Sequence, residues 1–257
     1  MTLVKIDEVT KVYEGKVTHR ALNQLSFEVK KGEFLAVMGP SGSGKTTLLN
    51  LISTIDSLTS GDILIDGTNP HLLDKNELAL FRRRKLGFVF QDFNLLQMLT
   101  VEENLVLPLT LDYVPTQEMA GRVLDVAKRL DLASILHKRP NEISGGEAQR
   151  TAIGRALIHR PALILADEPT GNLDSKASRD VLELLSDISE KDGATIIMVT
   201  HDPIAASYCD RVLFIKDGEF FNEIYRDDRR QTFYQKILNV LSLLGGNVND
   251  LSATRLP

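Results

Sequence analysis

Cysteine is nearly absent from this chain of 257 residues: Cys209 stands alone, so no internal disulfide can form and no set of thiolates can hold zinc. That usage suits a reducing cytosol. No apolar run approaches the ~18 residues that a membrane-spanning helix needs. The opening residues, 1–9, alternate like a strand and lack the apolar core of a signal peptide. Positive charge is also short. The formal net charge is -5, which excludes a global basic field that would recruit nucleic acid. The one basic cluster, Arg82-Arg83-Arg84-Lys85, reads as a solvated helix end. Internal repeats and low-complexity segments are missing too. With 43% hydrophobic and 25% charged residues, the chain has the balance of a soluble globular protein. The expectation is a cytoplasmic protein that meets a membrane only through a partner.

What is present centres on Gly39-Pro40-Ser41-Gly42-Ser43-Gly44-Lys45-Thr46-Thr47, which fits G-x-x-x-x-G-K-[ST]. Residues 34–38 read as a buried strand entering it and residues 48–52 as a helix leaving it. The glycines let the backbone turn its N–H groups around a polyphosphate, and the helix N-terminus adds its positive dipole end. Lys45 would reach the β- and γ-phosphates, and the Thr46 hydroxyl would bind Mg²⁺. This stretch predicts nucleoside triphosphate binding.

Around it, residues 3–33 alternate as strands with Val4, Ile6, Val9, Leu22, Leu25, Phe27 and Val29 as apolar members, and residues 61–67 add another. They predict an antiparallel sheet laid against a parallel one. Residues 100–141 turn helical. A capping box opens a helix over 101–109, and Thr116 opens a longer one. A helix from Ser144 to about 159, a strand over 162–166, a helix over 175–191, and strands over 194–199 and 211–215 complete an α/β alternation. Residues 229–244 form an amphipathic helix with Phe233, Ile237, Val240, Leu241 and Leu244 on one face. Gly245-Gly246 stops it, and 247–257 reads as a mobile tail.

Chemistry concentrates in two further stretches. Leu163-Ile164-Leu165-Ala166-Asp167-Glu168 is an apolar strand ending in two carboxylates, and strand C-termini face the ligand crevice of a parallel sheet. Asp167 suits Mg²⁺, and Glu168 suits orienting and deprotonating an attacking water. Ile143-Ser144-Gly145-Gly146-Glu147 places a capping serine and two glycines at a helix N-terminus.

This second stretch resembles the signature motif of ATP-binding-cassette (ABC) ATPases. Other motifs of that family match in order. Gln91 is similar to the glutamine that binds Mg²⁺ and the attacking water. Asp174 is similar to the aspartate of the following loop, and His201 to the switch histidine at the γ-phosphate. Tyr13 stands where the family places an aromatic against adenine. The resemblance implies a P-loop NTPase with a RecA-like parallel core sheet, an antiparallel β-subdomain and a helical signature subdomain at about 92–158. The ATPase domain would span 1–225, with 226–257 as a C-terminal helix and tail. ATP and Mg²⁺ are implied, as is a head-to-tail dimer in which Ser144, Gly145, Gly146 and Glu147 of one copy contact the ATP of the other. Glu147 departs from the family's usual glutamine and adds a negative charge near the γ-phosphate.

The single cassette implies a separate permease. The stretches over 140–146, 201–212 and 231–237 resemble the ATPase subunits of bacitracin-type antimicrobial-peptide transporters, which are related to macrolide-export and lipoprotein-release ATPases. That branch implies a permease with an extracellular domain, and through it a sensor histidine kinase, with this chain peripheral on the cytoplasmic face. The expected dock is the apolar set Phe93, Leu95, Leu96, Met98 and Leu99 next to Gln91. Two alternatives stand beside this reading: a cell-division or lipoprotein-release ATPase, and a soluble non-transport ABC protein.

Overall fold

Five consecutive apolar residues, Phe34–Met38, have no polar face to show to water, and they form a strand buried along its whole length. The structure, a computed structural model, describes residues 1–15 and 17–245. Gly246 and the tail expected at 247–257 lie outside the described residues.

In chain order, β1 (Thr2–Tyr13) and β2 (His19–Lys30) precede β3 (Phe34–Met38), α1 (Lys45–Ile52) and β4 (Ser60–Ile65). Next come α2 (Lys75–Lys85), β5 (Leu86–Val89), α3 (Val101–Leu111), α4 (Thr116–Arg129) and α5 (Gly145–Leu157). The chain continues through β6 (Leu163–Asp167), α6 (Ser175–Asp192), β7 (Thr195–Val199) and the one-turn α7 (Pro203–Ala206). It closes with β8 (Arg211–Lys216), β9 (Glu219–Tyr225) and α8 (Arg230–Leu243). Two sheets result. One has the order β2-β1-β4 and is antiparallel. The other has the order β5-β6-β7-β3-β8-β9, parallel except for β9.

The pleat of the parallel sheet sorts its side chains into two cores. Leu35, Val37, Leu163, Leu165, Ile197 and Val199 face one way and pack with α1 and the antiparallel sheet. Phe34, Ala36, Met38, Ile164, Ile196 and Met198 face the other, against α5, α6 and α8. The C-terminal helix contributes Phe233, Ile237, Val240 and Leu244 to this second core. A third cluster joins α3 and α4 through Val101, Leu105, Leu109, Val123 and Ala127.

The α/β architecture with its antiparallel sheet and helical insertion agrees with the sequence reading, but three details differ. The sequence reading does not contain β5 or β9. The basic run is a set of tethers as well as a helix end: Arg83 donates to the Leu111 carbonyl at 2.6 Å, Arg84 pairs with Asp112 at 2.8 Å, and Lys85 pairs with Asp66 at 2.8 Å. Finally, Leu95 is buried against Ala148 and Ala152, with Phe93 packed on the same cluster. Of the five residues expected at the surface, Leu96 and Met98 are the exposed pair.

Candidate functional site

The parallel register aligns strand ends. Val37 lies opposite Val199, Asp167 opposite Val199, and Val89 opposite Ala166. The segments that leave β3, β5, β6 and β7 therefore emerge side by side. They carry Gly39–Thr47, Gln91, Asp167 with Glu168, and Thr200 with His201.

The loop from Gly39 to Gly44 closes over its own backbone, with the Ser43 N–H donating to the Pro40 carbonyl at 3.2 Å. Gly44 begins α1 at φ 98, and a Cβ there would strike the Ala21 carbonyl, so the turn admits only glycine. No side chain caps α1, which leaves the N–H groups of its first turn available to an anion. Pro40, Ser41 and Gly42 lie at the rim, Ser43 is buried, and Thr46 is exposed with Thr47 half-buried beside it. Lys45 follows the inside of the loop, donating to the Gly39 and Pro40 carbonyls at 2.9 Å each. Burial lowers its pKa, while Glu168 and Asp167 pull it back up.

At the end of β6, Asp167 is half-buried and its pKa is raised, first by burial and then by the charge of Glu168. Glu168 sits at φ 45, a left-handed backbone that costs a bulky residue about 1–3 kcal/mol. Several bonds hold it there. Its N–H donates to the Val199 carbonyl at 2.9 Å. One carboxylate oxygen accepts from the Thr200 hydroxyl at 3.0 Å, and the other from the His201 N–H at 3.0 Å. His201 Nδ1 lies 2.7 Å from that second oxygen, and because a carboxylate accepts, Nδ1 carries the proton. The His201 ring is otherwise open to solvent, with 76% of its side chain exposed.

Gln91 is tied to the loop after β6. Its Nε2 donates to Asn172 Oδ1 at 3.3 Å, and Asn172 Nδ2 donates back to the Gln91 carbonyl at 3.2 Å and to Asp92 at 2.7 Å. A Cβ on Gly171 would come within 2.8 Å of the Gln91 amide and would push that side chain aside. Asp174 caps α6, accepting from the N–H groups of Lys176 and Ala177 at 2.9 Å. Ser144 caps α5 in the same way. Glu147 turns back to accept from the Ser144 N–H at 2.7 Å and from its hydroxyl at 2.8 Å, and the N–H bond is the main reason its pKa falls. Ser144 and Gly145 are exposed, Gly146 is buried, and no hydrogen bond joins the four residues 144–147 to the Gly39–Thr47 loop among the described residues.

Tyr13 ends β1 on the other flank of the loop. Its hydroxyl donates to Asp56 at 2.8 Å, and the Lys11 ammonium, itself paired with Asp56 at 2.6 Å, lies 4.8 Å from the ring centre. Lys11 thus stacks on the ring. The structure brings together the loop, Gln91, Asp167, Glu168 and His201. Ser144 and Gly145 are exposed at the start of α5, where a Cβ on Gly145 would meet Leu173 and Phe93. Sequence reading assigned no role to Thr200, Asn172, Lys11 or Asp56, although Thr200 directly precedes His201 and Asn172 lies two residues before Asp174.

A cleft of about 690 Å³ opens at the opposite ends of the strands, lined in part by Lys31, Arg84, Lys85, Arg129 and Arg160. Lys31 follows β2, whereas Arg84, Lys85, Arg129 and Arg160 sit at or just past helix C-termini, where helix dipoles favour cations, and Lys85 and Arg129 pair with Asp66 and Asp192. Among the described residues no helix is long and apolar enough to cross a membrane, and no three His, Cys, Asp or Glu side chains cluster as a metal site.

A family model described as "ABC transporter" matches residues 22–171. The chain is 59% identical over 99% of its length to the ABC transporter ATP-binding protein YxdL of Bacillus subtilis (strain 168), covering 99% of that protein. It is 48% identical over 97% of its length to the bacitracin export ATP-binding protein BceA of Halalkalibacterium halodurans, covering 100% of it. Among solved structures, the dimeric post-hydrolysis state of the ATP-binding cassette MJ0796 bound to ADP and Pi superposes with a TM-score of 0.80. That match is 42% identical and covers 88% of this chain and 100% of the other.

Proposed function

The chain belongs to the ABC transporter family of ATP-binding proteins, and from that premise we propose that it powers a separate permease that detoxifies or exports antimicrobial peptides of the bacitracin kind. The observation that carries the finer reading is the end-to-end likeness to a bacitracin export ATPase. The ATPase chemistry is common to the family, and the dimeric ADP-bound relative supports a head-to-tail pair as the working form. The chain would act on the cytoplasmic face, held there by its permease, which would present an extracellular domain to the peptide and report to a sensor histidine kinase.

In this reading the N–H groups of Gly39–Thr47 and the Lys45 ammonium hold the triphosphate, and Tyr13 offers adenine the ring face that Lys11 does not cover. The residues present suit Mg²⁺. Two adjacent carboxylates share a half-buried strand end, and the pKa of Asp167 is raised there first by burial and then by the charge of Glu168. Asp167, the Thr46 hydroxyl and the Gln91 amide would hold the ion, with phosphate oxygens completing the hard-oxygen set it prefers. Bound there, it would neutralise phosphate charge. Glu168 accepts the proton of a water that attacks the γ-phosphorus. The bond to the ADP oxygen breaks, leaving phosphate. His201 donates its Nδ1–H to one carboxylate oxygen of that base, and when Nε2 also carries a proton it can donate to a γ-phosphate oxygen. Ser144, Gly145 and Gly146 of the second copy close over the same phosphate, and Asp174 lies at the junction between copies. Because Glu147 is folded onto Ser144, its charge is held at the helix N-terminus.

The test is purification from membranes with the permease, followed by hydrolysis assays. Bacitracin-like peptides should raise turnover of the complex and not of the isolated subunit. Co-purification with a lipoprotein-release or cell-division permease that ignores such peptides would overturn the branch, and recovery without any permease would favour a soluble role.

A further inference from the structure

Gln149, in the second turn of α5, is buried to 0% exposure, and its amide makes bonds that reach both catalytic segments. Nε2 donates to the Pro169 carbonyl at 2.6 Å and to the Phe90 carbonyl at 3.3 Å. Pro169 follows Glu168, and Phe90 precedes Gln91. Both facing atoms are carbonyl oxygens, which only accept, so the amide nitrogen must point at them. Its own oxygen, Oε1, is buried without a hydrogen-bond partner. A buried acceptor without a donor destabilises the fold, and an apolar side chain of similar size would fill the space without that penalty. The amide is explained by its two donated bonds.

Farther along α5, Arg155 donates to the carbonyls of Phe93 and Asn94, at 2.9 and 2.5 Å. Both of those residues have positive φ. The turn that carries Gln91 is therefore gripped by α5 on either side. The left-handed Glu168 is gripped as well: Thr200 and His201 hold its side chain, and Gln149 holds the carbonyl next to it. Ser144, Gly145 and Gly146 begin the same helix.

We propose that Gln149 is a positioning residue for hydrolysis: its amide fixes Glu168 and Gln91 in one register with the helix that carries the signature glycines. A shift of α5 then carries the base and the Gln91 turn together. The inference rests on the roles proposed above for Glu168 and Gln91.

The test compares Gln149→Met and Gln149→Glu with the wild-type chain. Either change removes the donated pair and keeps the side-chain length. Among the described residues the Gln149 side chain makes no hydrogen bond to the phosphate loop, so ATP affinity by equilibrium binding should stay within about twofold. The kcat should fall about tenfold to a hundredfold, the scale of a reacting group displaced by about 1 Å. Folded variants whose kcat stays within about twofold of wild type overturn the proposal, as does a loss of ATP affinity equal to the loss of kcat. If neither variant folds, isotope-labelled wild-type protein decides. The Gln149 side-chain N–H signals should be protected from exchange and should shift when Mg²⁺ and a non-hydrolysable ATP analogue bind, and unshifted signals overturn the proposal. Glu168→Gln is assayed in parallel. Full turnover in that variant removes the base assignment, whereas the Gln149 result is read from its own ratio of kcat to affinity.

Discussion

Glu168 has little freedom, since the backbone around it is left-handed and both carboxylate oxygens already accept hydrogen bonds. A glutamine there keeps the shape and removes the basic lone pair. Glu168→Gln should therefore bind ATP normally and accumulate as a nucleotide-loaded dimer, while turnover drops on the order of a hundredfold or more. Near-normal phosphate release in that variant would move the base elsewhere. A second prediction concerns acid. His159 Nε2 donates to the Leu86 carbonyl at 3.0 Å, and its Nδ1 is buried without a partner, so a second proton would sit unpaired in the interior. Burial accordingly lowers its pKa, and that of His71. The unfolded chain then binds the extra proton more readily than the folded one. This contribution to stability is complete above the ordinary imidazole value of 6.5 and is lost as pH falls below it. The melting temperature should drop across that range, and drop less in His159→Gln; equal drops would show that other groups set the acid limit. Residues such as Lys45 and Asp167 were legible in the sequence because their neighbours in the chain are their neighbours in the site. Gln149 was not, since its partners lie 20 and 59 residues away, and only a polar side chain among Ala148, Ala152 and Ile153 hinted at it.

Elements were legible where their pattern was long or fully apolar. β3, β6 and β7 are buried runs, and Asp174 and Ser144 mark the starts of α6 and α5 as N-caps should. β5 is only four residues long and follows a basic helix end, so no alternation develops. β9 carries Phe220, Phe221 and Tyr225 exposed along an edge, which hides the two-residue period, although Asp217-Gly218 before it is a turn signal. The segment between Gln91 and α3 failed in a different way: its apolar residues are irregularly spaced, and sequence alone cannot say which face inward. The structure divides them, and a mutational contrast follows. Leu95→Asp buries a charge beside Ala148 and Ala152 and should destabilise the fold by roughly 3 kcal/mol or more. Met98→Glu sits on a side chain that is 84% exposed and should change stability by under about 0.5 kcal/mol. If the permease docks there, Met98→Glu also loses co-purification and permease-stimulated hydrolysis. Normal coupling in that variant would place the dock elsewhere.

At the scale of the whole molecule, the proposed head-to-tail pair joins the Gly39–Thr47 loop of one copy to the Ser144 helix start of the other. A chain with Lys45→Ala and a chain with Ser144→Arg should each be inactive. Mixed, they should recover turnover, because the heterodimer holds one intact loop opposite one intact signature. Heterodimers that form and stay inactive would place the full site within one copy. The parallel sheet, the antiparallel sheet and the helical insertion were all foreseen from the sequence, but whether α8 packs on its own chain was not, since an apolar helix face does not name what covers it. That face is covered by the chain itself, and the consequence reaches the bench. The family match ends at residue 171, well before α8. Anyone shortening this chain for expression by trimming toward that match would strip Phe233, Ile237, Val240 and Leu244 from the second core. Each such side chain is worth about 1.5–3 kcal/mol of burial, against a typical total of about 5–15 kcal/mol for a folded protein. A fragment ending before Arg230 should come out of the cell as inclusion bodies, whereas an affinity handle joined beyond Gly245 leaves that core intact.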